Sequence, residues 1–250
     1  MRKFGLVGRS LGHSFSQGYF ESLFKRLGLR DCCYKCFELD DIHRLKGIVN
    51  GDSKILGLNV TVPHKESVVA LVDKLSIDAR QIGAVNVIKV VRRAGRILLF
   101  GFNTDAEGFI KSLAEVFCPS DKIALVLGTG GAAKAVAFAL KSMRIKCLFV
   151  SRNPMRGQVG YGQLRRNIFD DCELVVNATP VGTFPRVDFP NIPYRFLDSR
   201  HFLYDLVYNP EQTEFLRRGA KHGARTMNGM KMLEIQAEAS WRIWNDQTKM

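Results

Sequence analysis

The sequence has no apolar run long enough to cross a lipid bilayer, which would take about 20 residues. Its opening stretch, MRKFGLVG, turns polar too early for a secretory signal peptide. We therefore expect a soluble cytoplasmic protein that has no membrane partner. Hydrophobic residues still make up 46% of the chain, which is ordinary for a globular protein that builds a core.

Paired cysteines are scarce as well. Of the six cysteines, only Cys33 and Cys36 form a CxxC pair. No second pair and no suitable histidine spacing completes a zinc site. We expect ordinary free thiols in a reducing compartment and no metal site. A metal or redox centre at this pair is the less favoured alternative.

Acidic residues are also in short supply. The chain has 24 Asp and Glu against 37 Lys and Arg, which gives a formal net charge of +13. The basic residues are spread along the chain, and neither a helix-turn-helix pattern nor a ladder of aromatic and basic residues is present. The charge favours acidic partners of some kind. We expect small anionic ligands and no nucleic acid.

The first hundred residues alternate short apolar runs with amphipathic stretches. Strands are predicted at KFGLVG, CCYKCFEL and ILGLNVTV, and helices at SQGYFESLFKRLGL, with Ser16 as its N-cap, and DDIHRLKGIV. The runs AVNVIKVV and RILLFGF flank RRAG like a hairpin. This order predicts an α/β fold with a mostly parallel sheet and an antiparallel edge.

The alternation of predicted strands and helices begins again near Asn103. TDAEGFIKSLAEVF reads as a helix whose start could carry a capping box of Thr104 and Glu107. Further buried strands are predicted in CELVVNATPVG and FLYDLVYNP, and helices in TEFLRRGAKHG and MNGMKMLEIQAEASWRIWND. Because no linker or internal repeat is visible, the domain boundary near 102–104 rests on this restart alone.

A glycine-rich loop follows the predicted strand KIALVL. Gly128, Gly130, Gly131 and Ala132 lie between this strand and a helix, as a pyrophosphate site requires. Glycine permits the tight turn and the close approach of the backbone, and the helix N-terminus attracts the phosphates. We therefore favour a dinucleotide site over a purely structural turn.

The end of the next strand, KCLFV, lacks the acidic residue that normally binds the ribose of NAD. It reads Ser151, Arg152 and Asn153 instead, with Arg156 close behind. A guanidinium group suits a 2′-phosphate because its donors form a planar fork and its charge is permanent. The sequence thus favours NADP, although two solvated surface arginines remain the simpler alternative.

Polar residues end several predicted strands of the first half. In GLNVTVPHK, Asn59 and Thr61 alternate with valines and should leave the same face of the strand. Ligands of open α/β sheets bind at the carboxyl ends of strands, so these residues could converge with others in one cleft. The others are Ser14, Ser16, Lys65, Asn86, Asp105 and Gln236.

The segments GHSFS, NVTVPHK, GAVNVI, GFNTD, GTGGAAKA, NATPVG, YNPEQT and NGMKMLEIQA resemble the shikimate dehydrogenase family almost from end to end. The resemblance implies an N-terminal α/β substrate domain and a Rossmann-type NADP-binding domain, with the C-terminal helix returning to the substrate domain. The expected boundaries are 1–102 plus 226–250 for the substrate domain and 103–225 for the NADP domain. The implied active site lies in the groove between them.

The implied activity is the reversible NADPH-dependent reduction of 3-dehydroshikimate to shikimate, an oxidoreductase step towards chorismate and the aromatic amino acids. Lys65 and Asp105 would be the catalytic pair, and Gly229 would lie near the nicotinamide. By the same resemblance, Ser14, Ser16, Thr61 and Tyr208 would contact the carboxylate side of the substrate. Its hydroxyls would be held by Asn59, Asn86, Asp105 and Gln236.

Two alternatives stay open. One is a quinate or quinate/shikimate dehydrogenase that uses NAD, which the missing acid after KCLFV disfavours. The other is a non-catalytic binding protein on the same fold, which the presence of both Lys65 and Asp105 disfavours. The chain departs from the family in Gln17-Gly18, where relatives read Ser-Pro, and in a short segment 154–171 where a helix is expected to shrink to a turn. We expect a monomer or a homodimer.

Overall fold

The protein is described here by a computed structural model that covers residues 1–12, 14–118 and 123–246. The chain divides into two compact units. Unit 1 is Met1–Thr104 with Gln236–Met250, and unit 2 is Asp105–Ile235. The domain boundaries expected from the sequence, after residue 102 and after residue 225, stay a prediction. The expected α/β fold class is confirmed, because each unit contains its own sheet with helices.

Unit 1 contains six strands and the helices that cover them. The strands are β1 (Arg2–Gly8), β2 (Cys32–Glu38), β3 (Ile55–Val60), β4 (Lys74–Leu75), β5 (Val87–Arg93) and β6 (Arg96–Phe102). The helices are α1 (Phe15–Arg26), α2 (Leu45–Gly51) and α3 (Ile77–Ile82), with short 3-10 helices at Ile42–Arg44 and Ser67–Leu71.

The sheet of unit 1 has the order β2-β1-β3-β5-β6-β4. The strand β5 runs antiparallel to β3 and β6, and the other pairs are parallel. The antiparallel strand therefore lies inside the sheet, so the expectation of an antiparallel edge is wrong. The reason is the hairpin itself, because β6 pairs on the outer side of β5 and runs again in the direction of β3, and the two-residue strand β4 pairs beyond β6.

The helix α1 begins two residues earlier than the expected cap at Ser16 would place it. Ser14, not Ser16, is its N-cap, and the Ser14 hydroxyl accepts a hydrogen bond from the Ser16 backbone N–H at 3.2 Å. Ser16 lies within the first turn. The prediction of Ser16 as the cap is wrong because both serines have cap chemistry and Phe15, between them, already has helical geometry.

Unit 2 contains a second six-stranded sheet. Its strands are β7 (Ile123–Leu127), β8 (Cys147–Ser151), β9 (Gln158–Gly160), β10 (Cys172–Asn177), β11 (Phe202–Asp205) and β12 (Arg225–Met227). Its helices are α4 (Asp105–Ala114), α5 (Gly131–Ser142), α6 (Arg166–Asp170) and α7 (Glu214–Lys221), and the unit boundary falls within α8 (Met230–Asn245). Short 3-10 helices lie at Tyr161–Gln163 and Tyr194–Phe196.

All pairs in the sheet of unit 2 are parallel, in the order β12-β11-β10-β7-β8-β9. The chain runs outward from β7 to β9 and then returns through β10, so the order reverses between β7 and β10. Open α/β sheets bind ligands at such a switch point. Between β8 and β9 the chain makes only turns, but the segment 154–171, where a turn was expected, also contains the 3-10 helix Tyr161–Gln163 and the short helix α6.

Burial explains why the cysteines are ordinary thiols. All six are free, and burial raises the pKa of Cys32 to about 11 and raises that of Cys36. A thiol with a raised pKa carries little of the reactive thiolate near neutral pH. Within the described ranges, no helix combines the length and the apolar character needed to span a membrane.

Candidate active site

One edge of the sheet in unit 1 collects most of the expected substrate residues. The parallel strands β1 and β3 end together, with Val7 beside Val60. Because β5 is antiparallel, its first residue lies at the same edge, with Val87 beside Asn59 and also beside Phe102 at the end of β6. One edge of this sheet therefore carries the loops after β1, β3 and β6 as well as the residue before β5.

The loop after β1 carries Ser14 and Ser16, and the loop after β3 carries Thr61. All three side chains are half-buried. The two loops run side by side, because a Cβ on Gly8 would lie 2.6 Å from the Thr61 methyl group. Among the residues that the structure describes, none hydrogen-bonds the hydroxyl of Ser16 or Thr61.

Lys65 lies in the loop after β3, and hydrogen bonds fix this loop at several points. Its carbonyl accepts a hydrogen bond from the Val85 N–H at 2.7 Å. The adjacent His64 is 4% exposed, and its Nε2 lies 2.6 Å from the Leu39 carbonyl. The histidine thus anchors the loop, whereas the lysine side chain is half-buried.

Asn59, Asn86 and Gln236 are brought together in one buried hydrogen-bond network. The Asn86 amide nitrogen lies 3.3 Å from Gln236 Oε1, and the Asn59 amide donates to the Asn86 carbonyl at 3.3 Å. Asn59 also donates to the Ser240 hydroxyl at 2.9 Å and accepts from the Tyr34 hydroxyl at 2.8 Å. Both N–H groups of Asn59 are therefore used inside the protein, which favours a supporting role for it.

Sequence reasoning missed three members of this network, Tyr34, Thr104 and Ser240. For Thr104 the sequence indicates only a capping box at the start of α4, and that role stays a prediction. Its hydroxyl accepts from the Asn86 amide at 3.0 Å and donates to the Gln236 carbonyl at 3.1 Å, and its N–H donates to Asn86 Oδ1 at 2.7 Å. These partners come from distant parts of the chain, so no local pattern could have revealed them.

Replacing Thr104 with valine should destabilise the protein by about 1–3 kcal/mol, because the buried partners of the hydroxyl lose a hydrogen bond. The two side chains have the same shape, so packing is conserved. Urea unfolding measures the effect, and Thr104→Ser, which keeps the hydroxyl, is the matched control. A valine variant as stable as the serine variant would show that the hydroxyl contributes nothing.

The edge of the sheet in unit 2 carries the expected nucleotide residues. Gly128 follows β7 with φ of +103°, and a Cβ there would lie 2.9 Å from the Thr179 methyl group. Only glycine fits this backbone. Gly130 precedes α5, and Gly131 and Ala132 begin it, so their N–H groups lie at the positive end of a helix. The geometry fits a pyrophosphate.

The arginines expected to read the cofactor lie at the end of β8. Arg152, Asn153 and Arg156 are exposed, and the Ser151 hydroxyl accepts from the Asn153 N–H at 3.2 Å. Burial raises the pKa of the half-buried Tyr161, and the charge of Arg152, which lies near it, acts in the opposite direction. No carboxylate lies in this turn, so the residues present fit a phosphate group.

A buried carboxylate, which sequence reasoning also missed, ends β11. Asp205 is fully buried and accepts three hydrogen bonds. They come from the Thr213 hydroxyl at 2.6 Å, the Asn177 amide at 2.9 Å and the Val207 N–H at 3.0 Å. Tyr208 follows in the same loop and is half-buried, and Gly229 lies against the Leu206 carbonyl.

Burial raises the pKa of Asp205 to about 6, although its three hydrogen bonds act in the opposite direction. The charged groups on neighbouring elements are Glu214 and Arg218, which with Asp205 act on the buried Tyr194. Hydrogen bonds from Arg217 and Arg218 hold the pKa of Glu214 low, at about 2. Asp205 is therefore the group of this cluster that titrates in mildly acidic solution.

A raised carboxyl pKa means that ionised Asp205 costs stability. The stability that protonated Asp205 contributes is fully present below the pKa of the unfolded state, about 3.9. This stability is lost as the pH rises through about 6, the pKa in the folded protein. Relative to Asp205→Asn, the free energy of unfolding of the wild type should therefore fall by about 2–3 kcal/mol between about pH 4 and pH 7. Asp198→Asn is the control, because Arg200 holds the Asp198 pKa far below this range. A constant difference for Asp205→Asn would contradict the buried titration.

The structure places Asp105 at the start of α4, where it is 4% exposed. It directly follows Thr104, whose backbone is fixed by Asn86. Lys65 belongs to unit 1 and Asp105 to unit 2. The described residues contain no cluster of three or more His, Cys, Asp or Glu side chains that could hold a metal ion.

Comparisons with known proteins agree on one family. The family described as "Shikimate dehydrogenase substrate binding domain" matches residues 6–88. Enzymes named shikimate dehydrogenase (NADP(+)) from Desulforamulus reducens and Methanopyrus kandleri are each 37% identical, over 96% of this chain and 88% and 89% of their own. The crystal structure of shikimate 5-dehydrogenase from Thermus thermophilus with NADP(H) and shikimate superposes with a TM-score of 0.84 at 32% identity, covering 98% of this chain and 94% of that one.

A structure of quinate dehydrogenase from Corynebacterium glutamicum with NAD also matches. Its TM-score is 0.83 at 25% identity, covering 98% of this chain and 93% of that one. The fold is thus shared between both kinds of enzyme, while the sequence identity is higher to the NADP-dependent relatives above. The choice between the two activities depends on the side chains at the site.

Proposed function

The chain belongs to the shikimate dehydrogenase family, and we propose on that basis that it catalyses the reversible NADPH-dependent reduction of 3-dehydroshikimate to shikimate. It is an oxidoreductase that acts on a CH–OH group, in the pathway towards chorismate and the aromatic amino acids. NAD-dependent oxidation of quinate, and binding without catalysis, are the less favoured alternatives.

The placement of the Val85–Asn86 segment carries this proposal. The Val85 N–H holds the carbonyl of Lys65, and the Asn86 side chain holds the backbone of Thr104. Two short backbone anchors thus fix Lys65 and the residue that precedes Asp105. A site for proton transfer needs this kind of fixed placement, because reactivity falls steeply with misalignment.

NADPH fits the residues at the edge of unit 2. Gly128, Gly130, Gly131 and Ala132 would hold the pyrophosphate on the backbone and the α5 N-terminus. The 2′-phosphate would be bound by Arg152 and Arg156, with Ser151 and Asn153 as further donors. Gly229 would allow the nicotinamide end to approach the backbone. When bound, the cofactor supplies the hydride.

We propose that Lys65 donates the proton that completes the reduction. Its ammonium group would hydrogen-bond the ketone oxygen of the substrate and stabilise the negative charge that develops there. It would then transfer one proton to that oxygen, which becomes the hydroxyl of shikimate. In the reverse direction Lys65 would accept this proton, so oxidation should be favoured at alkaline pH.

Asp105 would orient Lys65, and it would accept a hydrogen bond from a neighbouring substrate hydroxyl. The carboxylate side of the substrate would meet Ser14, Ser16, Thr61 and Tyr208. Its hydroxyls would meet Asn86 and Gln236. Asn59 would act behind these two amides, because its own N–H groups are used within the network.

We further propose that the protein works in the cytoplasm as a monomer or a homodimer. Free thiols are typical of a reducing compartment. Its partners would be the two small anionic ligands and no nucleic acid. The net charge of +13 would speed their association, and this effect should weaken with added salt.

The proposed function is tested by incubating the purified protein with 3-dehydroshikimate and NADPH and identifying the product by chromatography. Shikimate should form in an amount equal to the NADPH consumed. A parallel incubation with 3-dehydroquinate separates the main alternative. Quinate formed faster than shikimate would overturn the substrate assignment.

A further inference from the structure

Asp205 is the one fully buried carboxylate among the residues that the structure describes, and the proposed reaction does not use it. It ends β11, at the edge of the sheet where the nucleotide loops begin. Its three partners, the Thr213 hydroxyl, the Asn177 amide and the Val207 N–H, donate to it and so stabilise the carboxylate form. The question is what this anion holds in place.

The carboxylate joins two loops. Asn177, at the end of β10, donates to one oxygen, and Thr213, the N-cap of α7, donates to the other. Asn177 in turn accepts from the Thr179 hydroxyl at 2.6 Å and donates to the Val181 carbonyl at 3.1 Å. The loop after β10 and the loop after β11 are therefore fixed to the same buried group.

These two loops lie beside the glycines that are proposed to hold the cofactor. The Ala178 N–H donates to the Leu127 carbonyl at 3.0 Å, beside Gly128. On the other side, the Gly229 N–H donates to the Val207 carbonyl at 3.2 Å, and the Leu206 N–H donates to the Asn177 carbonyl at 2.9 Å. A shift of either loop would displace the backbone on which a cofactor would rest.

We propose that Asp205 is a positioning residue of the cofactor site, which holds the loops after β10 and β11 against Gly128 and Gly229 through its contacts with Asn177, Thr213 and Val207. This inference rests on the proposed function, since it assumes that the cofactor binds at this edge. A carboxylate suits the task because it accepts from every side. An amide in its place has only one acceptor oxygen, so it could not accept from all three donors, and at least one bond would be lost or would have to reverse its direction at the Thr213 hydroxyl.

The test measures binding of NADPH by its own fluorescence, in the wild type and in Asp205→Asn. The variant should raise the Kd for NADPH at least about tenfold, because the loops no longer share one acceptor. Tyr204→Phe is the matched control: it removes a buried hydroxyl contact to Ser112 on the preceding residue of β11 and touches neither loop. It should leave the Kd within about twofold of the wild type, and the Tm of each variant reports its effect on stability.

A second pair of variants covers the case in which Asp205→Asn does not fold. Thr213→Val removes the donor to the carboxylate and should raise the Kd, whereas Thr213→Ser keeps the hydroxyl and should restore it. The positioning role is overturned if Asp205→Asn or Thr213→Val binds NADPH as the wild type does. It is also overturned if Tyr204→Phe weakens binding equally, because the effect would then reflect stability alone.

The outcomes also separate this inference from the proposed function. A wild type that binds NADPH but forms no shikimate would overturn the proposed function. NADPH binding by the variants would then still decide whether Asp205 is a positioning residue. Normal turnover in the wild type with unchanged binding in the variants would overturn the positioning role alone. A wild type that binds no NADPH would overturn both.

Discussion

Replacing Lys65 with alanine should lower kcat by about 10²–10⁴-fold, while the protein folds and binds NADPH as before. The expected loss is that of a group that transfers a proton and stabilises developing charge in the transition state. The Lys65 carbonyl anchor to Val85 is a backbone contact, so the substitution keeps it. The loop should therefore stay in place without the ammonium group.

Steady-state rates with 3-dehydroshikimate and NADPH measure this loss. The matched control is Lys46→Ala, which removes an exposed lysine of α2 in the same unit and should leave kcat unchanged. Fluorescence titration with NADPH separates catalysis from binding. A Lys65→Ala variant that keeps more than about a tenth of the wild-type kcat would remove Lys65 from the mechanism.

Replacing Arg152 and Arg156 together with alanine should raise the KM for NADP by at least about tenfold and leave the KM for NAD unchanged. Each hydrogen bond to a charged group contributes about 1.5–3 kcal/mol, and a tenfold change in affinity corresponds to about 1.4 kcal/mol. Because NAD has no 2′-phosphate, its binding involves no contact that these substitutions would remove. The preference between the cofactors should therefore fall by the same factor.

A change of net charge alone could weaken the binding of any anion to so basic a protein. The control is Arg93→Ala with Arg96→Ala, which removes the same charge from the far end of the β5–β6 hairpin. This variant should affect NADP and NAD equally and only slightly. Equal losses of NADP affinity in the two double variants would mean that Arg152 and Arg156 do not recognise the 2′-phosphate.

Much of the fold could be predicted because its signals are local. The glycine loop at 128–131 lies between a strand and a helix, and the missing acid after β8 is visible in four consecutive letters. Such features depend on neighbouring residues, which a sequence shows directly. The same holds for the shortened segment after Arg152, where glycines and the lack of periodicity indicated a turn.

The parts that could not be predicted depend on distant contacts. Asn59 and Ser240 are hydrogen-bonded although 181 positions separate them, and Asp205 meets Asn177 across 28 positions. Thr104, for which the sequence indicated only a local capping role, has Asn86 and Gln236 as partners in the folded protein. Local preferences are weak compared with the cost of leaving buried polar groups unpaired.

The most direct test of the proposed activity follows the appearance of reduced nicotinamide after the purified protein is mixed with shikimate, with NADP in one cuvette and NAD in another. The initial rate with NADP should exceed that with NAD by at least about tenfold, given the energetic contribution of the arginines. A rate with NAD that equals or exceeds it would contradict the NADP assignment. No reaction in either cuvette would contradict the proposal that the protein is an enzyme acting on shikimate.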